Sequence, residues 1–260
     1  MEYQADINSG EDYLKQFFSG FSILNIEFTL TPRSKINLGI DEMKGDRWRG
    51  GLGSALRGLV CKQRGAECLH CDFKQDCFYF QNFEIDKPHP YIIRPALDSK
   101  DYYEPDEEIR LNFTLIGDAI RHLYVFIRAM EHLGINWIGK GRGRFYIHDA
   151  STALFDLKDV FNYKKGQMGH ITVELLTHLK LKDTETGIHY SDIAFKTFFK
   201  HLIKRIINLN NLYCGGMDFD RDKVEAESRR LQSVAEAIKT ESYTEWKDYQ
   251  RFPSRQNKSM

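Results

Sequence analysis

The chain has 260 residues, room for two domains of about 100–150 residues, and its 37 basic and 37 acidic side chains cancel. Net charge therefore gives no argument for nucleic acid; any such case rests on local clustering. No apolar run reaches the ~18–20 residues of a membrane span, and the acidic start Met1-Glu2-Tyr3-Gln4-Ala5-Asp6 has no signal-peptide core. The expected location is cytoplasmic, where the five cysteines would not form structural disulfides.

Residues 1–20 read as a lead-in with Tyr13, Phe17 and Phe18 on one helical face. From Phe21 the period changes. Leu24, Ile26, Phe28 and Leu30 alternate with polar residues, which predicts a strand with one buried face, ended by Pro32. Residues 33–46 read as a loop. A helix is expected from Asp46, a natural N-cap residue, with Leu52, Leu56, Leu59 and Val60 on its apolar side. Arg47, Arg49 and Arg57 ride on it, and Gly50, Gly51 and Gly53 crowd its start. Each glycine costs a helix roughly 1 kcal/mol against Ala. That weakness is tolerated where something packs closely, and helix–sheet contact explains it as well as RNA contact does.

Cys61, Cys68, Cys71 and Cys77 follow, built around Cys68-x-x-Cys71. In a reducing cell this spacing predicts a metal site with four thiolates, structural zinc first and an iron–sulfur cluster second. His70 is an alternative ligand. Pro88-His89-Pro90 reads as an extended connector into a short strand, Tyr91-Ile92-Ile93. Residues 98–108 are acidic and turn-like. Ile109, Leu111, Phe113 and Leu115 alternate as a further strand, broken by Gly117. Ile120, Leu123, Tyr124, Ile127 and Met130 form a helical stripe that Gly134 is expected to end. Phe145-Tyr146-Ile147 makes the next strand. The order over 21–149 is β-α-β-β-α-β, the ferredoxin-like split βαβ plan.

Between that second helix and the last strand lies Gly139-Lys140-Gly141-Arg142-Gly143-Arg144-Phe145. Alternating glycines permit positive φ and close approach, and three cations join the exposed N–H groups. Such a loop suits phosphate oxygens. It is neither a P-loop nor a dinucleotide fingerprint.

A second unit is expected after a polar stretch with Lys164, Lys165 and Gly166. A strand near 171–182 precedes a long helix over about 191–212, whose Ile193, Phe198, Phe199, Leu202, Ile203, Ile206 and Leu209 line one side. Gly215-Gly216 reads as a turn and 221–239 as another helix. The tail from Trp246 to Gln256 interleaves aromatics with Arg251 and Arg255, a pattern that suits base stacking and phosphate pairing. The expected fold class is α+β: tandem ferredoxin-like domains (βαββαβ, RAMP/RRM-like) over 1–150 and 165–260. The second is incomplete, and the first carries the four-cysteine insert at 61–77.

The residues Arg49-Gly50-Gly51-Leu52-Gly53 leading into Cys61, the cysteine insert, Pro90-Tyr91-Ile92-Ile93, Leu115-Ile116-Gly117-Asp118-Ala119, the 139–145 loop, Leu175-Leu176-Thr177, Arg205-Ile206 and the tail from Trp246 to Gln256 occur in a definite order. By that order the chain resembles the CRISPR-associated RAMP-superfamily endoribonucleases that process precursor CRISPR RNA.

The resemblance implies cleavage of CRISPR repeat RNA to mature crRNA without a metal. The 2′-hydroxyl attacks the adjacent phosphate and leaves a 2′,3′-cyclic phosphate, which asks for a base, an acid and a cation. It also implies other CRISPR-associated proteins as partners, with no membrane and no DNA. Many members carry a catalytic histidine on the first helix, and 47–60 has none. Arg49 is then expected to stabilise the phosphorane, and His70 to act as base where it is free of the metal site. Gly139, Lys140, Gly141, Arg142, Gly143, Arg144, Arg251 and Arg255 are expected to hold RNA. Family members continue with further strands and a second glycine-rich loop, so the resemblance implies a shortened second domain. The alternative is a RAMP-type subunit that holds crRNA without cutting it. A third reading is a thiolate-metal protein with redox or structural work.

Overall fold

Strand β1 (Ser22–Pro32) buries Leu24, Ile26, Phe28 and Leu30 on one face and turns Asn25 and Glu27 to solvent, as its alternation predicts. The computed structural model describes residues 16–156 and 195–215, together with Leu176, Leu179, Leu181, Lys182 and Thr186. The other strands are β2 (Ile36–Asn37), β3 (Tyr91–Pro95), β4 (Tyr102–Tyr103), β5 (Ile109–Ile116) and β6 (Phe145–Asp156). The main sheet runs β3-β5-β1-β6, with every neighbouring pair antiparallel. Counting only its four strands in chain order, that is 2-3-1-4, the split βαβ order expected for the first unit. β2 and β4 form a separate two-stranded sheet.

Helix α1 (Asp41–Val60) begins five residues before Asp46, so residues 33–46 hold both β2 and the first turn of a helix. Two features favour the earlier start. Asp41 and Glu42 place negative charge on the helix's positive end. Lys44, one turn in, is wholly buried and needs partners there. Its ammonium lies 2.6 Å from Asp41, 2.5 Å from Asp98 and 3.2 Å from the Tyr103 hydroxyl. Burial works against the charge, but these hydrogen bonds outweigh it and raise the Lys44 pKa.

Helix α2 (Leu123–Asn136) runs past Gly134, which was expected to end it. Gly134 is a packing point instead: a Cβ there would lie 2.5 Å from the Phe145 carbonyl oxygen. The two helices cover one face of the sheet. Trp48, Leu52, Phe126, Met130 and Leu133 meet Ile26, Phe28, Phe113 and Leu115 in one core.

The other sheet face is polar along most of its length, where Thr114 donates to Asn25 at 2.7 Å. Its upper end is apolar. Phe21, Ile23 and Ile116 pack there against Ile206, Leu209 and Cys214, from or just beyond α3 (Phe195–Tyr213). Gly117, at φ 57°, sits so close to the end of α3 that a Cβ would be 2.1 Å from the Tyr213 carbonyl. The long helix is thus present, although Leu202 on its expected apolar side is 41% exposed. Most of the expected strand near 171–182, the helix at 221–239 and the tail with Arg251 and Arg255 lie outside the described residues. Among the described residues no helix is long and apolar enough to cross a membrane.

Replacing Asp98 by Ala leaves the buried Lys44 with Asp41 as its one carboxylate. We expect a loss of about 2–3 kcal/mol in urea unfolding, below the usual cost of breaking a buried pair because Asp41 remains. Burial alone would raise the Asp98 carboxyl; hydrogen bonds from Lys44 and Tyr103 hold it below its ordinary 3.8. Its contribution is therefore complete above about pH 4 and fades as acid protonates it. Wild type and the Ala variant should converge in stability as the pH falls below that point.

Candidate functional site

Helix α1 presents two flanks with different chemistry, because residues three and four apart share a face. Arg49 and Gly53 lie on one flank. Arg47, Gly50, Gly51 and Ser54 lie on the other.

On the first flank, Arg49 Nη1 donates to the Tyr91 hydroxyl at 2.5 Å, and Nη2 approaches His89 Nε2 at 3.0 Å. The guanidinium also lies over the Phe83 ring, 4.5 Å from its centroid. Phe83 is on a π-helical turn, Phe80–Glu84, and stacks between Tyr79 at 5.3 Å and Tyr91 at 5.8 Å. Gly53 permits this, since a Cβ there would meet the Phe83 ring at 2.4 Å.

The geometry sets protonation states. A guanidinium has only donors, so His89 Nε2 must accept and the ring is neutral, with its proton on Nδ1. Burial first, then the Arg49 cation, lower the His89 pKa below 6.5, and Arg205 of α3 adds to this. Burial pushes the Tyr91 hydroxyl up, against the pull of Arg49, so it keeps its proton at neutral pH. Arg49, His89 and Tyr91 thus place a cation, a neutral imidazole and a protonated phenol in contact, the set that acid–base chemistry at a phosphate asks for.

Arg49 is the one member of this cluster that the motifs single out; His89 reads in sequence as part of a connector and Tyr91 as a strand residue. The available signal was a histidine held between two prolines, whose fixed φ angles leave little freedom to the chain. His70 is elsewhere: it sits on an exposed 3₁₀ turn, Cys68–His70, and bonds Glu67 at 3.1 Å.

Cys61, Cys68, Cys71 and Cys77 line one small pocket with Lys74 and Tyr79. Burial pushes the Cys68 thiol up, and the Arg57 cation opposes it. Among the described residues no three His, Cys, Asp or Glu side chains are arranged to hold a metal ion. The thiols share a space, but the tight tetrahedron of a structural zinc centre is not formed.

The glycine–cation loop is a pinned turn. Gly139, Gly141 and Arg142 have φ of 72°, 91° and 57°. Ile138 and Gly143 exchange hydrogen bonds of 2.8 and 3.1 Å, and the Lys140 N–H donates to the Asn37 carbonyl at 3.0 Å. Gly139 and Gly143 are glycine for close packing on Asn37, Lys35 and Ile36, whereas Gly141 faces open space. Lys140, Arg142 and Arg144 are exposed. Arg142 lies over the exposed Trp137 ring at 5.5 Å.

The family model AF_1859_N, an N-terminal domain, matches residues 21–176. The chain belongs to the AF_1859_N family. That match takes in the whole four-stranded sheet, both helices and every group of the Arg49 cluster except Arg205. No curated protein matches the chain. Among solved structures, a chain of the "Csm3-Csm4 subcomplex in the type III-A CRISPR-Cas interference complex" is 12% identical, with a TM-score of 0.37, over 55% of this chain and 84% of that one. A likeness of that size transfers nothing to this chain.

His89 should titrate below 6.5 by NMR, and Arg49→Ala should move it part of the way back up by removing the second of its causes. Because the folded pKa is depressed, the linked stability is present above about pH 6.5 and is lost as the pH falls through the folded value. A His89→Phe variant should lack this acid-side loss.

Proposed function

We propose that this protein is a metal-independent endoribonuclease that cuts CRISPR repeat RNA. The observation that carries the reading is Arg49 held between the Tyr91 hydroxyl and His89 Nε2 over the Phe83 ring. The substrate class is what the resemblance of the ordered motifs to the CRISPR-associated RAMP-superfamily endoribonucleases implies.

In the proposed reaction a backbone phosphate takes the Arg49 guanidinium as its counter-charge, since a phosphate oxygen is a stronger acceptor than a phenol or a neutral imidazole. That frees His89 Nε2. The freed imidazole removes the proton of the 2′-hydroxyl, and the 2′-oxygen attacks the adjacent phosphorus. Arg49 stabilises the charge of the pentacovalent state. The bond from phosphorus to the 5′-oxygen breaks, and Tyr91 gives that oxygen its proton. The products are a 2′,3′-cyclic phosphate and a 5′-hydroxyl end. Solvent returns the proton to Tyr91 and takes one from His89. Lys140, Arg142 and Arg144 on the pinned loop hold the strand. Arg251 and Arg255 belong to the same proposal. The cysteine pocket takes no step in the cut.

A second reading is an RNA-holding RAMP subunit without catalysis, working beside other CRISPR-associated proteins. The observation that favours it is the engagement of both Nε2 and the Tyr91 hydroxyl by Arg49. Such mutual satisfaction also suits a purely structural clamp.

Labelled repeat RNA with the protein in excess EDTA separates the two. The nuclease gives one cut at a fixed position, abolished by a 2′-deoxy substitution there. Arg49→Ala and His89→Ala should each slow it by about 10²–10⁴-fold. Tight binding of RNA that stays intact selects the second reading.

A further inference from the structure

The second flank of α1 carries its own feature. Arg47, Gly50, Gly51, Ser54 and Gly58 form one wall of a groove of about 580 Å³, and His132, Leu133, Asn136, Trp137 and Lys140 form the other. The volume lies within the range of about 300–1,000 Å³ for small-ligand sites. The glycines along it are not equivalent. Gly51 is filled from within, since a Cβ there would meet Leu133 at 2.9 Å, but a Cβ at Gly50 would meet nothing within 4 Å. No packing partner in the described fold accounts for a helix-weakening residue at position 50.

The lining has one chemical character. Trp137 is 51% exposed at the mouth, where Arg142 lies over its ring. Lys140 is exposed beside it. The walls offer a hydroxyl, an imidazole and an amide, from Ser54, His132 and Asn136, and no carboxylate is among the lining residues. An aromatic face, three cations (Arg47 and Lys140 in the lining, Arg142 over Trp137) and neutral hydrogen-bonding groups, with no carboxylate among the lining residues, complement a nucleobase that carries a phosphate. They do not suit a cationic or purely apolar ligand.

We propose that this groove receives one unpaired nucleotide of an RNA strand. The base stacks on Trp137 and enters over Gly50, and its edge meets Ser54, His132 and Asn136. Its phosphate lies at Lys140 and Arg142. This rests on the RNA-binding reading above and adds a base-holding subsite on the flank of α1 away from Arg49.

Gly50→Leu and Trp137→Leu test it, with a short single-stranded oligoribonucleotide containing 4-thiouridine as probe. Leu at position 50 projects into the groove from a Cβ that meets nothing within 4 Å, and it favours the helix over Gly, so its melting temperature should equal or exceed that of wild type. Each variant should weaken binding about tenfold or more, the scale of losing one base stack. The photo-crosslink should map to residues 132–140 in wild type and in Arg49→Ala. If wild type binds the oligoribonucleotide and both variants bind it equally well, with the crosslink elsewhere, the subsite is refuted while the RNA-binding reading stands. If wild type does not bind RNA, that reading falls and the subsite falls with it.

Discussion

How closely other groups approach helix α1 governs this structure. On one side the absence of a side chain at Gly53 lets Phe83 lie against the helix, and that ring supports Arg49 and stacks on Tyr91. On the other, the absence at Gly51 lets Leu133 of α2 close the core. A side chain at position 53 would displace the Phe83 ring that supports Arg49, and one at position 51 would press on Leu133. The helix-weakening glycines are thus the condition for the Arg49 cluster. The earlier start of the helix, with Asp41, Glu42 and the buried Lys44, anchors its N-terminal end and leaves Gly50, Gly51 and Gly53 at its middle.

Charge follows the same pattern of local arrangement. A chain with equal numbers of acidic and basic groups still gathers Lys140, Arg142 and Arg144 on one turn. That turn is held rigid by backbone hydrogen bonds to Asn37 and within the Ile138–Gly143 pair. Rigidity reduces the entropy lost when the cations take up a ligand. At the other flank a single guanidinium sets two protonation states, with burial as the larger force on both His89 and Tyr91. A neutral imidazole and an intact phenol beside a permanent cation is an arrangement that water would level and that a half-buried aromatic stack preserves.

The strands of the first unit were legible because β1 and β5 alternate with period two, which one buried face imposes. Their sheet order followed from the element order, since split βαβ connections allow few others. Less was legible where tertiary contact decides. Asp46 has the chemistry of a cap, yet the helix starts at Asp41, because Lys44 finds its carboxylates only with that turn formed. Gly134 looks like a stop and is a packing point for Phe145. The glycines of the 139–143 loop looked alike in sequence, but Gly139 and Gly143 serve packing and Gly141 does not. The Arg49 cluster was half legible. Its partners come from a segment 40 residues away by the Arg49–His89 separation, and only folding brings that segment across α1. The cysteine spacing was plain in the sequence, and the thiols do share one pocket, although no metal-holding group is formed among the described residues.

The most direct test of the central claim, that RNA is cut at Arg49, His89 and Tyr91, is the pH dependence of single-turnover cleavage of repeat RNA. With His89 as base, the wild-type rate should climb on the acid side, level off once the imidazole is neutral below pH 6.5, and stay level to pH 8. His89→Ala should lose that limb along with most of the rate. An acid limb that persists unchanged in His89→Ala would show that another group takes the 2′-hydroxyl proton, and the account of this site would be contradicted.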